Sequence, residues 1–413
     1  MAAPLRRTRG DLAATAGLSL LALVAVAAAA LAAPINGSTL EPVKEPLAAP
    51  EPLAAAPESL AEAWRAPAAP GSRPLSVDGV TVSQQDSELA GLDPEGNTLW
   101  SYRRDEALCA AAQGFGRVVG VYHYDGGCGE AVSLEADSGS YADTRQALAA
   151  GSVEALSSND RVGIAAPERV ELWRSDLVRT VEYGEIPAAQ EPATQPHPGC
   201  TITSALTRQE LLAVTERCPE EPDERPEDDA AVPTEPGTWL RIMSTSPEDS
   251  RAPELSASVA LPEGARLVAV SGEAAAVLSP DGTVVAYNDD GAELSRSTAG
   301  ESRMLTGEGA PLVAPTADLP HHMTYFDGER LVLLEPATLK VQATYPDASG
   351  TGVPVGGELL YPTGEGIAVA EPGANAPHRT IPVARDTPAT GLAVAGETIV
   401  ERRGAEVVGL QAG

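Results

Sequence analysis

Four cysteines are the residues whose spacing most plainly implies chemistry: Cys109 and Cys128 lie 19 residues apart, Cys200 and Cys218 lie 18 apart. Each spacing suits two neighbouring antiparallel strands and their turn, so the expected pairs are Cys109–Cys128 and Cys200–Cys218. Paired thiols belong to an exported chain. Zinc is the competing chemistry, but there is no C-x-x-C pair, and no metal site is expected. His321 and His322 are adjacent; on a strand they would face opposite ways, and one metal would rarely take both. Trp100 with Arg103 and Arg104, and Trp173 with Arg174, are candidates for a binding face, because Trp and Arg often anchor partners. Their structural alternative is that the tryptophans wedge between packed elements while the arginines pair with near acids such as Asp105 or Asp176. The sequence has no G-x-S-x-G elbow, no H-E-x-x-H and no P-loop, so no catalytic residue is assigned and no cofactor is expected.

The elements that must carry these residues begin with an anchor. No residue from Leu12 to Ala33 is charged, and a helix of that length spans a ~30 Å hydrocarbon core. Arg6, Arg7 and Arg9 precede it, which predicts residues 1–11 as a cytoplasmic tail, 12–33 as a single-pass signal anchor and the rest as extracytoplasmic. Ala30-Leu31-Ala32 would suit signal cleavage, but the apolar run is longer than the usual ~7–15 residues of a signal peptide, which favours an uncleaved anchor. Residues 34–74 interleave Pro with Ala and Glu and predict a semi-rigid stalk. The formal charge of −31 repels phosphate backbones and excludes nucleic acid as a partner. Solubility, a cation or a basic protein remain as its uses.

With 39 Gly and 36 Pro but only two Phe in 413 residues, the chain is rich in turns. After Leu75 it breaks into short alternating runs separated by Asp-Gly and Pro-x-Gly turns. The clearest run is Arg266–Val270, Ala274–Leu278, Thr283–Tyr287 and Ala292–Ser295: four short antiparallel strands in a row, one propeller blade. A third strand with its turn recurs loosely at Leu92, Leu134, Leu172, Tyr287, Leu334, Ala370 and Leu410, mostly in steps of about 40 residues. The long gap from Leu172 to Tyr287 should hide more than one further blade. Within it, 219–237 is acidic and Pro-rich and is expected as a disordered loop. The last strand near Leu410 is expected to share a blade with the strands around Val77 to Val82 and so close the ring.

Leu92-Asp93-Pro94-Glu95-Gly96 with Trp100, and Leu134 to Gly139, resemble the blade repeat of pyrroloquinoline-quinone (PQQ)-like propellers, which ends in Ala-x-Asp-x-x-Thr-Gly followed by Trp. The wider layout looks like an alanine/valine-rich, membrane-anchored family of mycobacteria and corynebacteria. The residues that carry this likeness are Trp100 to Asp105 with Cys109, Gly127-Cys128, Val170 to Gly184, Gln195-Pro196 and Gly199-Cys200. It implies an all-β fold of seven or eight four-stranded blades over residues 75–413, behind the anchor and stalk. It brings no activity with it. The expected function is a non-catalytic binding or scaffold protein of the cell envelope, with an envelope protein as partner. The alternatives are a PQQ- or metal-dependent oxidoreductase, which needs a tryptophan floor and calcium carboxylates, and a wall- or carbohydrate-binding module. The lining of the central channel separates them.

Overall fold

The computed structural model describes residues 8–69, 73–186, 194–220, 235–319 and 322–413; most of the predicted acidic loop, the first seven residues and His321 lie outside these. Turn chemistry sets the local structure. In the hairpin between Glu88–Leu92 and Thr98–Arg104 the Asn97 amide donates to the Asp93 carboxylate at 2.8 Å, while Gly96 takes φ +85°, which closes the turn and returns the chain as the next strand. Asn288 does the same for the Ala292 amide at 2.7 Å.

Repeated in this way, the strands form eight antiparallel sheets. Blades 1 to 7 span 76–104, 108–146, 154–184, 201–261, 266–298, 316–345 and 353–382. The first strands of neighbouring blades contact one another around the axis in chain order, except that the first strand of blade 5 meets the second strand of blade 6, so the sheets stand radially as a propeller. Blade 8 has three consecutive strands, Ala389–Ala395, Thr398–Arg403 and Glu406–Ala412. Its outermost strand is Leu60–Pro67, paired antiparallel with Glu406–Ala412. The strand Ser38–Glu41 adds a fifth, outer strand to blade 1 by pairing with Thr98–Arg104.

Three expectations are thereby corrected. The ring is closed by Leu60–Pro67, whereas the strands near Val77 to Val82 build a blade of their own. The gap from Leu172 to Tyr287 holds one further blade, the fourth, which carries the second cysteine pair. And residues 38–69 do not stand off as a stalk: Val43 and Leu47 donate to Ser138 and Asp137 beyond blade 2's third strand, Arg379 binds the carbonyls of Ala56 and Pro57, and Ala56 packs between blades 7 and 8. Proline-rich sequence with only a few apolar residues is suited to this path: its strands are sheet edges, which need few inward side chains, and between them Pro50 lies against the hairpins at Gly79 and Gly396 and Ala54 against that at Gly356.

Ahead of the wrap, Arg9–Leu31 is a helix with no buried residue, long and apolar enough to cross a membrane, and its first turn is held by a capping box between Thr8 and Asp11. Only residues 32–37 separate it from the blade 1 rim.

The core is divided among the blade interfaces. Seven clusters each join two neighbouring blades, and an eighth, the smallest, lies at blade 8 toward blade 1. Trp100, on the fourth strand of blade 1, lies opposite Gly91, covers Gly139 of blade 2 and donates to the Ala136 carbonyl at 2.7 Å. A Cβ on either glycine would fall within the indole. Trp64 repeats this on blade 8, opposite Gly409, over Gly96, with its Nε1 donating to the Pro94 carbonyl at 2.9 Å. Thr398 Oγ1 at 2.8 Å and Gln411 Nε2 at 3.1 Å donate to that same carbonyl. Three side chains of the last blade thus converge on one backbone oxygen of the first.

Both disulfides form. Cys200–Cys218 ties the ends of two neighbouring strands, as expected, but Cys109–Cys128 joins the first strand of blade 2 to its third across the end of the second.

Because the 8/1 seam has the fewest buried apolar residues, truncation there should be felt by the whole ring. Trp64→Ala is expected to cost about 3 kcal/mol and to lower the denaturation midpoint of every blade together, measured by tryptophan fluorescence and circular dichroism in urea; a loss confined to the N-terminal segment would show that the latch is not required for closure.

Candidate functional site

Eight blades leave a wide axis, and small residues line much of it. The innermost strands of blades 2, 3, 5 and 6 place Ala110, Ala111, Ala155, Ala269 and Ala317 around a central cavity of about 650 Å³, and that of blade 4 adds Leu206, Thr207 and Arg208. Such a volume is in the range of small-molecule sites. The segment 311–315, between blades 5 and 6, lines the cavity and reaches the first strands of blades 3 and 4. Glu154, on the first strand of blade 3, holds it: the amides of Leu312 and Val313 each donate to one oxygen of that carboxylate at 2.9 Å, and the Leu312 carbonyl accepts from Ala205 of blade 4 at 2.8 Å. Val313 packs against the clusters on both sides of blade 4.

Among the described residues the charged groups on this cavity are Arg73, Glu154, Arg208, Asp318 and Arg402, an excess of cation in a chain of net charge −31. Arg208 and Asp318 form an ion pair at 2.7 Å between blades 4 and 6. Arg402 is 2% exposed; its Nε donates to the Gly404 carbonyl at 2.9 Å and its Nη2 to the Ala68 carbonyl at 3.3 Å, with no carboxylate partner among the described residues. Arg73 comes from the connection that carries the chain from the outer strand of blade 8 to the innermost strand of blade 1, and so from rim to axis. It is half-buried and makes no hydrogen bond or ion pair with the described residues. Burial pulls both guanidiniums below their ordinary range, and in Arg73 the Asp318 charge works against that.

The residues singled out from sequence lie elsewhere. Trp100 and Trp173 are each 1% exposed and belong to different interfaces, 1/2 and 2/3. Trp173 donates to the buried Glu171 at 2.7 Å. Arg104 is buried, paired with Glu130 at 2.7 Å and Glu106 at 3.1 Å, and lies over the Tyr122 ring. Arg103 and Arg174 are exposed, the latter paired with Asp176 at 2.8 Å. These five residues do not form one face: the tryptophans are wedges, and Arg104 and Arg174 serve local acids. Sequence reading missed Arg73, Glu154 and Arg402, whose surroundings follow no repeat. The one available signal was an arginine in an otherwise acidic Pro-rich segment.

A second cluster, Cys200, Glu216 and Cys218, brings three metal-type donors within 4.8 Å. The sulfurs are bonded to each other, however, and Glu216 accepts from Tyr183 Oη at 2.6 Å and Arg241 Nε at 2.7 Å. Burial pushes the Glu216 carboxyl up, against the pull of Tyr183 and Arg241; burial and then Arg241 push His197 down to about 4. The cluster is a buried ion-pair network.

A calcium-held quinone does not fit the central cavity. No tryptophan lines it, Glu154 is committed to two amides, and Asp318 to Arg208. The donors on offer are cationic, and no redox step is derived through such a group.

No family model and no curated protein sequence matches this chain. Solved structures do. BamB from Moraxella catarrhalis is similar with a TM-score of 0.51 at 11% identity, over 85% of this chain and 99% of that one. The computationally designed Ika8 protein is similar with a TM-score of 0.55 at 11% identity, over 86% and 99%. The fold is that of an eight-bladed, PQQ-like β-propeller behind one N-terminal apolar helix.

Glu154→Gln leaves one of the two amides of the segment 311–315 without its oxygen, a loss of about 1–3 kcal/mol. Hydrogen exchange at Leu312 and Val313 is expected to speed up at least several-fold while the blades keep their protection; unchanged exchange there would show that the carboxylate does not hold the segment.

Proposed function

We propose that the chain is a single-pass, N-in membrane protein whose extracytoplasmic propeller serves as a non-catalytic binding or scaffold protein in an actinobacterial-type cell envelope. The basic start of the sequence supports the orientation, and the two disulfides support an oxidising side for the propeller. The likeness to anchored alanine/valine-rich proteins supports the compartment, and the protein-binding use of a closed propeller rests on fold analogy. The observation that carries the reading is the wrap of residues 38–69. It leaves only 32–37 as a tether, so blade 1 sits within about 20 Å of the helix end. A propeller held so closely offers its faces and its far rim to neighbours in or near the membrane.

An alkaline phosphatase fused after Gly413 is expected to be active in whole cells, and a cytoplasm-dependent fluorophore at the same place dark; the reverse pattern would refute the orientation. Blade 5 stands across the ring from blade 1, and its Asp281 and Asp290 are exposed turns at opposite ends of its strands. With a photocrosslinker at each, one position is expected to capture the same envelope protein in repeated experiments on intact cells. Adducts only with wall polymer would favour the wall-binding reading, and no adduct at either position would count against a scaffold.

A further inference from the structure

The central cavity goes beyond the scaffold reading, since no partner on a face or rim would need it. Arg73 is the observation that asks for an explanation. The chain carries 59 acidic residues against 28 basic ones, so a carboxylate is the easiest partner for it to supply. Many arginines receive one, Glu216 for Arg241, Glu401 for Arg385 and Arg403, Glu130 for Arg104, while the half-buried Arg266 and Arg379 end on backbone carbonyls; Arg73 has neither kind of partner among the described residues. Arg73 and Arg402, both on the cavity, receive no carboxylate from the described residues. A guanidinium partly withdrawn from water with no bonded carboxylate favours any anion that reaches it. The nearby acid is already used, because Asp318 pairs with Arg208. The remaining wall is mixed: alanines with Leu156, Val270 and Met323, interspersed with polar side chains such as Gln84, Thr207 and Thr324.

We propose that the central cavity is a binding site for a small organic anion, with a carboxylate or phosphate head on Arg73 and a short apolar body along the alanine wall. Arg402 adds a second positive centre whose geometry is fixed by the Gly404 and Ala68 carbonyls. The cavity of about 650 Å³ would take a ligand of ten to twenty heavy atoms, roughly, as drug-sized pockets do. The segment 311–315 forms part of the wall, so the clamp on Glu154 also shapes the site. The net charge of the surface opposes entry of anions, and affinity must therefore come from the cavity itself.

The test uses the full chain in neutral detergent, by calorimetry and thermal unfolding. Probes are octanoate, octyl phosphate, inorganic phosphate and, as cationic control, octyltrimethylammonium. Octanoate or octyl phosphate is expected to bind one to one and to raise the unfolding temperature, with the preferred head identifying the source as a carboxylate or a phosphate ester. Inorganic phosphate, lacking the apolar body, should bind at least tenfold more weakly. Arg73→Gln removes no hydrogen bond to the described residues, so it should fold; it is expected to lower affinity at least tenfold, and Arg73→Lys to recover part of it. Without any probe, Arg73→Gln should unfold at the same or a higher temperature than the natural chain, because an unmet cation has been removed. The proposal is overturned if neither octyl anion binds, if the cation binds as well as they do, or if Arg73→Gln binds them unchanged. It is equally overturned if Arg73→Gln lowers the unfolding temperature without ligand and Arg73→Lys restores it, since Arg73 is then a structural cation. Failure here leaves the crosslinking test of the scaffold untouched.

Discussion

Everything in this molecule depends on one closure, the meeting of the last blade with the first at the Pro94 carbonyl. A ring of sheets has no free edge only if its ends are joined, and here the joint has the smallest apolar cluster of all the interfaces. Directional bonds take over. Trp64, Thr398 and Gln411 all point at one oxygen of the blade 1 hairpin that holds Pro94, and Trp64 comes from a strand laid down before that hairpin in the chain. The closing strand therefore belongs to the N-terminal part of the sequence, while the sheet it completes belongs to the C-terminal part. Folding of the ring must bring the two ends together, a contact of very long sequence separation.

That arrangement also explains the layout around it. A chain whose apolar helix leads into the rim of blade 1, and which must supply the outermost strand of blade 8 before the first strand of blade 1, has to pass from one blade to the other. Residues 38–69 do so, pairing with blade 1, passing blade 7 and ending in blade 8. From there the chain must cross from rim to axis, and that crossing carries Arg73 into the cavity. The central site, the short tether and the closure are consequences of one path.

Much of the ring was legible from the sequence. All seven positions taken as equivalents, from Leu92 to Leu410, fall in the third strand of a blade, because that strand is largely buried on both faces and so keeps its apolar residues from blade to blade. Blade 4 was hidden because the acidic insertion separates its second and third strands, Leu211–Cys218 and Gly237–Ser244, and breaks the spacing. Leu60–Pro67 read as stalk because an outer strand needs few buried side chains; most of its residues are exposed, and no alternation marks it. Trp64 was accordingly placed in the stalk, although its environment repeats that of Trp100. The cavity was not legible at all, since Arg73, Glu154 and the 311–315 segment meet through non-repeating connections that no local pattern encodes.

The most direct measurement is residue-resolved hydrogen exchange of the full chain over the segment 60–67. Closure of the ring by this segment requires its hydrogen-bonded amides to exchange orders of magnitude more slowly than free peptide, and to open together with those of 406–412. Exchange at the free-peptide rate throughout 60–67, with 406–412 protected independently, would contradict it and return the segment to the role of a stalk.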